Sequence, residues 1–173
     1  MNWHGVDMKG FAKVAVVALA LGVGAVVVAQ EAAPVKPPAH PYTKKHLYDE
    51  TTDPQELIAA GLKQAKAEHK RVILDFGGDW CGDCQVLDIY FHQDPNEEIA
   101  DKHFVVVHVF IGHMDKNIDL AAKYGVPINR GVPALAVLSE NGKVLYSQRV
   151  GEFNDMRHMD AASLTEFLNK WKG

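Results

Sequence analysis

The sequence predicts an α/β fold: a central mixed four-stranded sheet with helices on both faces. Three observations carry this expectation. Arg71–Phe76 and Phe104–Ile111 are apolar, β-branched runs of the kind found in strands covered on both faces. Segments of helical spacing precede, separate and follow them. Asn141-Gly142, set between two further short apolar runs, is a hairpin signal that adds an antiparallel edge.

The elements follow in order. Asp53-Pro54 is a helix start, with Asp53 as cap and Pro54 in the first turn. That helix runs to about His69 and turns Leu57, Ile58, Leu62 and Ala65 inward. After the strand Arg71–Phe76, Gly77-Gly78 breaks the run and a second helix begins near Cys81, reaching about Phe91. The second strand is followed by a short helix, Asn117–Tyr124. Pro133 opens a third strand, Ala134–Ser139, and Lys143–Val150 pairs with it across the Asn-Gly turn. Asp160–Lys172 is the last helix, with Leu164, Phe167, Leu168 and Trp171 inward. Both strand–helix–strand crossings are expected to give parallel neighbours.

With 173 residues, 47% of them hydrophobic, the chain has room for one domain and some additional sequence. A net charge of −4 and the lack of a basic stretch interleaved with aromatics argue against a nucleic-acid partner. Residues 1–29 read as a signal peptide: Lys9 and Lys13 precede the uninterrupted apolar run Val14–Ala29, which ends in small residues. The same run also reads as an uncleaved anchor, the one route to membrane contact. As a helix it would span about 24 Å, short of the ~30 Å hydrocarbon layer, which favours cleavage. Residues 30–46, with Pro34, Pro37, Pro38 and Pro41, form a linker, and the domain occupies 47–173. The expected location is periplasmic or otherwise extracytoplasmic, with or without the anchor.

The chain's two cysteines stand three apart in Trp80-Cys81-Gly82-Asp83-Cys84, at a strand-to-helix junction. Free N–H groups and the partial positive charge at a helix start stabilise a thiolate. A loop of two residues constrains the unfolded chain very little, so this disulfide makes more sense as a bond meant to open than as a staple. Asp75, inside an apolar strand six positions before Cys81, is costly to bury unless it has chemistry to do, and a carboxyl resisting ionisation there suits a proton acceptor near neutrality. The alternative for Asp75 is a carboxylate turned toward solvent or water. Trp80 reads either as a partly exposed platform beside the dithiol or as ordinary core packing.

The chain resembles the thioredoxin family, and within it exported bacterial thioredoxin-like proteins. Asp75-Phe76, Trp80-Cys81-Gly82-Asp83-Cys84, Ala122-Lys123-Tyr124-Gly125-Val126, Gly131-Val132-Pro133 and Asn141-Gly142-Lys143-Val144 carry the resemblance, over residues 50 to 172 in the family's order. It implies a thioredoxin fold and dithiol–disulfide exchange, with no cofactor and no resident metal. It also implies a cis bond before Pro133 and pairing of the Val132 backbone with the substrate strand. Three features depart from the pattern. The spacer is Gly82-Asp83 where typical thioredoxins carry Gly-Pro. Four residues, Pro127–Arg130, stand between Val126 and Gly131 where thioredoxin has one. The second strand has no lysine to pair with Asp75.

On this reading Cys81 attacks a substrate disulfide, Cys84 resolves the mixed disulfide, and Asp75 accepts the Cys84 proton. Gly82 and Asp83 tune the potential. A carboxylate about 6 Å from a thiolate costs about 0.7 kcal/mol in water and about 2.8 kcal/mol at an effective dielectric of 20. A free Asp83 therefore favours the disulfide and points to a reductase of exported proteins, supplied with electrons by a separate membrane or extracytoplasmic donor. A second function class uses the same fold: an exported Cu(I) carrier, with Cys81, Cys84, His113-Met114 and the Met156-Arg157-His158-Met159 segment as soft donors. His108, in the second strand, reads as a packed or edge histidine.

Overall fold

The computed structural model describes residues 43–173. The predicted signal peptide and all but the end of the linker lie outside the described residues. Among the described residues, no helix is long and apolar enough to cross a membrane.

The elements are α1 (Pro54–Glu68), β1 (Arg71–Gly77), α2 (Gly82–Phe91), α3 (Asn96–His103), β2 (Phe104–Phe110), α4 (Ile118–Lys123), β3 (Ala134–Leu138), β4 (Val144–Ser147) and α5 (Ala161–Trp171), with 3₁₀ turns at Ile128–Arg130 and Met156–His158. The sheet order is β2-β1-β3-β4. Strand alternation divides the core into two layers. Val72, Leu74 and Phe76 face α1 and α4 through Ile58, Ala65, Leu120 and Ala121. Ile73, Leu135 and Val137 face α2, α3 and α5 through Val86, Leu87, Ala100, Leu164 and Leu168.

Local chemistry accounts for the boundaries. Asp53 caps α1 through the Gln55 N–H, with Pro54 in the first turn, and His69 closes it in a left-handed conformation. Gly142, at φ +80°, makes the turn into β4. Its N–H donates to Ser139 O at 2.9 Å, and Ser139 N–H donates to Lys143 O at 2.8 Å. β4 itself is shorter than the expected Lys143–Val150.

Two expectations about the sheet are corrected. β1 and β2 are parallel, but β3 runs antiparallel to β1, so only the first crossing yields parallel neighbours. A parallel return needs a helix that carries the chain back along the sheet. α4, at six residues, covers about 9 Å, against about 23 Å for a seven-residue strand, so β3 starts at the end where β2 stops. The second correction is α3, which the sequence reading passed over. It buries only Asn96 and Ala100, with Ile99 partly buried against the core, and its other residues are polar.

Candidate active site

β1 ends at Gly77, and the turn Gly78–Trp80 delivers Cys81 to the N-cap of α2. The two sulfurs are joined in a disulfide, with the Cα atoms 5.3 Å apart. Cys81 Sγ accepts from the Cys84 N–H at 3.1 Å, so the sulfur occupies the place of a capping oxygen. Cys81 is 5% exposed and Cys84 is fully buried. Across from them the Val132–Pro133 bond is cis, and the Val132 carbonyl oxygen lies 3.5 Å from Cys81 Sγ. The Asp94–Pro95 bond is also cis. Of the four residues Pro127–Arg130, Ile128–Arg130 form a 3₁₀ turn preceded by Pro127, with Ile128 buried, and Asn154 Nδ2 donates to Arg130 O at 2.7 Å.

Beneath the disulfide lies a buried polar group. Asp75 is 1% exposed, and its Oδ2 accepts from the Tyr48 hydroxyl at 2.8 Å and pairs with His108 Nδ1 at 2.9 Å. Its Oδ1 is buried without a hydrogen-bond partner among the described residues. The parallel register sets Asp75 directly against His108. A Cβ on Gly77 would meet the Tyr48 hydroxyl and stand 2.8 Å from Cys84 Sγ, so the phenol and the sulfur flank the same glycine. Burial and the Asp75 carboxylate push the Tyr48 phenol well above its ordinary value. For His108, burial opposes the charge, but the hydrogen bond and charge of Asp75 outweigh it, and the imidazole titrates above its usual range.

The segment before α1 holds Tyr48 in place. Gln85 Oε1 accepts from Lys45 N–H at 2.8 Å while Gln85 Nε2 donates to Lys45 O at 2.9 Å. Asp79 Oδ1 accepts from the N–H groups of Leu47 and Tyr48, and Oδ2 pairs with His46. Burial disfavours the Asp79 charge, but those hydrogen bonds win and hold its carboxyl below the ordinary value. Lys45 and His46, assigned to the linker by composition, thus already grip the domain.

Trp80 is 40% exposed, its Nε1 donating to Gly112 O at 2.6 Å and its ring stacked on His113 at 5.3 Å. Asp83 is not the free carboxylate the sequence reading assumed. It is 7% exposed and bound to Arg157 through the backbone N–H at 3.0 Å, Nε at 3.1 Å and a guanidinium nitrogen at 3.0 Å. The penalty on a Cys81 thiolate is correspondingly reduced, because the nearest carboxylate carries its own counter-charge.

A family model described as thioredoxin-like matches residues 53–139. The chain belongs to the thioredoxin-like family. It is 35% identical to a disulphide isomerase from Xylella fastidiosa Temecula1 whose crystal structure it matches at a TM-score of 0.69, over 74% of this chain and 98% of that one. It is 29% identical to thioredoxin from Buchnera aphidicola over 61% of this chain and 89% of that protein. It is 28% identical to the thiol:disulfide interchange protein DsbD from Pseudomonas fluorescens over 78% of this chain, but it spans 21% of that protein.

Within this thioredoxin-like site, Cys81, Cys84, Val132, Pro133 and Trp80 sit at one end of the sheet, and Asp75 lies below them. Three side chains escaped the sequence reading. His108 makes the pair with Asp75 for which no lysine was available. Tyr48 comes from a polar segment with no periodic signal. Arg157 reaches Asp83 from 74 positions away. The Cu(I) donor set is not assembled as expected. Met156 is fully buried in the layer formed with α2 and α5, and His158 is engaged by Asp155. Among the described residues, no group of three His, Cys, Asp or Glu side chains forms a metal site.

Proposed function

We propose that this protein is an exported disulfide reductase that works through Cys81 and Cys84. Thiol–disulfide oxidoreductase activity follows from its family membership and its CxxC pair. The observation that carries the finer reading is the disulfide seated at the start of α2 and faced by Val132–Pro133. In the reduced protein, Cys81 receives both the helix N-terminus and the Cys84 N–H, which favours its thiolate as nucleophile. That thiolate attacks a substrate disulfide and forms a mixed disulfide. Cys84 then attacks Cys81 Sγ, the substrate sulfur leaves reduced, and the protein becomes the disulfide. Trp80 and the Val132 backbone border the place a substrate strand would occupy. Asp75 is the proton acceptor for Cys84.

The direction rests on what surrounds Cys81. The spacer holds no cation, and Arg157 is engaged with Asp83, so the helix terminus is left as the main support for the thiolate. A modestly stabilised thiolate means a stable disulfide and a potential nearer ~−270 mV than ~−120 mV. Export is supported by the Lys9, Lys13 and Val14–Ala29 pattern. Substrates are disulfide-containing exported proteins, and electrons come from a separate membrane or extracytoplasmic donor. Equilibration with glutathione buffers tests the assignment. A potential below about −200 mV is expected, and one above about −180 mV would overturn the reductase direction.

A further inference from the structure

We propose that Tyr48, Asp75 and His108 form a proton relay leading from the buried Cys84 sulfur to solvent at the edge of the sheet. The proposal rests on the exchange reading above and concerns its second step. Cys84 is fully buried, so its proton needs a route out before its sulfur can attack. Tyr48 and Cys84 flank Gly77, and the Tyr48 hydroxyl donates onward to Asp75 Oδ2. The lone pairs of that hydroxyl are therefore turned away from Asp75, available to a neighbouring S–H. Asp75 Oδ1, buried and unpartnered, is a vacant acceptor in the middle of the chain of groups.

The far end of the relay opens outward. β2 is an edge strand, and His108 is half-buried on it. It lines two clefts, of about 570 Å³ and about 330 Å³. A neutral His108 has room for one more proton and open clefts to release it into.

In the resolving step the Cys81–Cys84 bond forms and the bond from Cys81 to the substrate sulfur breaks. Two electrons pass from the dithiol to the substrate, whose sulfur departs as a thiolate. The Cys84 proton moves to Tyr48 Oη while Tyr48 hands its own proton to Asp75. The Asp75–His108 pair ends one proton richer, as carboxylate and imidazolium, and His108 returns that proton to water. When His108 is already cationic the pair is full, and the step slows.

The charges around His108 favour this uptake. Asp75 faces it from β1, Asp79 from the turn after β1, and Asp88 from α2. Asp49 before α1, and Glu97 and Asp101 on α3, line the same clefts, against the cations of Lys70 and of Lys45, whose Nζ pairs with Asp88 at 2.7 Å, with the His92 imidazole alongside. Carboxylates outnumber cations, in keeping with a His108 that titrates above its ordinary value.

Stopped-flow reaction of the reduced full chain with Ellman's reagent separates the two steps. Attack by Cys81 releases the first thionitrobenzoate, and attack by Cys84 releases the second. In the wild-type protein the second phase should accelerate with pH through the His108 titration. Tyr48→Phe, which keeps the ring and removes the hydroxyl, should slow that phase about tenfold or more at pH 8, where more of His108 is neutral, and leave the first within about twofold. His108→Asn, a neutral donor, should abolish the near-neutral step in the pH profile. A wild-type second phase flat between pH 6 and 8 overturns the relay without recourse to any variant. So does a second phase unmoved by both substitutions, and in that case the exchange reading stands. A wild-type chain that releases one thionitrobenzoate and never a second overturns both.

Discussion

Gly77→Ala places one methyl group where the architecture has no slack. The added Cβ would meet the Tyr48 hydroxyl and lie 2.8 Å from both Tyr48 Cζ and Cys84 Sγ. Neither neighbour can retreat: Tyr48 and Cys84 are fully buried, and Cys84 is tied to Cys81. Gly77 is itself held between strands, its carbonyl accepting from Ile111 N–H at 3.0 Å. Overpacking at such a site costs about 1–3 kcal/mol. Displacing the phenol also strips Asp75 Oδ2 of one of its two partners, a further ~1–3 kcal/mol for a buried polar atom. The expected loss is about 2–6 kcal/mol, a large share of the ~5–15 kcal/mol that holds a domain together. For a domain of this size it lowers the thermal midpoint by roughly 10–20 °C. Urea unfolding of the oxidised protein, followed by circular dichroism, measures it. Gly78→Ala is the control. Its Cβ would stand 2.5 Å from Trp80 Nε1, so the ring must give up its bond to Gly112 O, but that ring is 40% exposed and water can replace the bond, so the cost should stay near 1 kcal/mol. A Gly77→Ala loss under about 0.5 kcal/mol would refute the close packing of Tyr48 against Cys84.

Arg157→Ala removes both side-chain bonds to Asp83, and the exposed half of the arginine limits the stability loss to about 1 kcal/mol or less. The uncompensated carboxylate should make the couple more reducing by roughly 10–30 mV in glutathione equilibration, and a shift toward oxidising values would contradict the pairing. His108 titrates higher in the folded protein than in the unfolded chain, so its contribution is complete below the unfolded value near 6.5 and is lost as pH rises through the folded value. Urea unfolding from pH 5.5 to 8.5 should show that decline in the wild type and a flatter profile in His108→Gln. Asp79 behaves oppositely: its stabilisation is present above the unfolded value near 3.8 and is lost as pH falls through the lower folded value, a loss that Asp79→Asn should remove. Met156→Leu should leave any Cu(I) affinity of the reduced cysteine pair within about threefold, measured by competition with a chromophoric chelator, because Met156 is buried in the core.

What was legible in the sequence is what local pattern encodes. β1 and β2 announce themselves as apolar runs, α2 begins where Gly77-Gly78 ends a strand, and the Asn141-Gly142 turn needs the positive φ that Gly142 adopts. α3 was hidden because Asn-Glu-Glu-Ile-Ala-Asp-Lys-His has no apolar stripe. Its polar signals, acidic residues in the first turn and Lys102 and His103 in the last, are visible only in retrospect. The direction of β3 turned on the shortness of α4. The partners of the site were illegible for a different reason. Tyr48 reaches Asp75 across 27 positions, His108 reaches it across 33, and Arg157 reaches Asp83 across 74. No local periodicity encodes such pairs. His108 carried the one usable hint, a polar residue at the centre of an otherwise apolar strand, as Asp75 is in β1, and parallel register sets the two side by side.

Trapping is the most direct measurement of the division of labour between the two sulfurs. Reduced Cys84→Ser, mixed with a disulfide-bonded peptide, should accumulate a one-to-one adduct on Cys81 that dithiothreitol releases, as read by intact mass. Cys81→Ser under the same conditions should form none. An adduct that gathers on Cys84 of the Cys81→Ser protein while Cys81 stays unmodified would contradict the account.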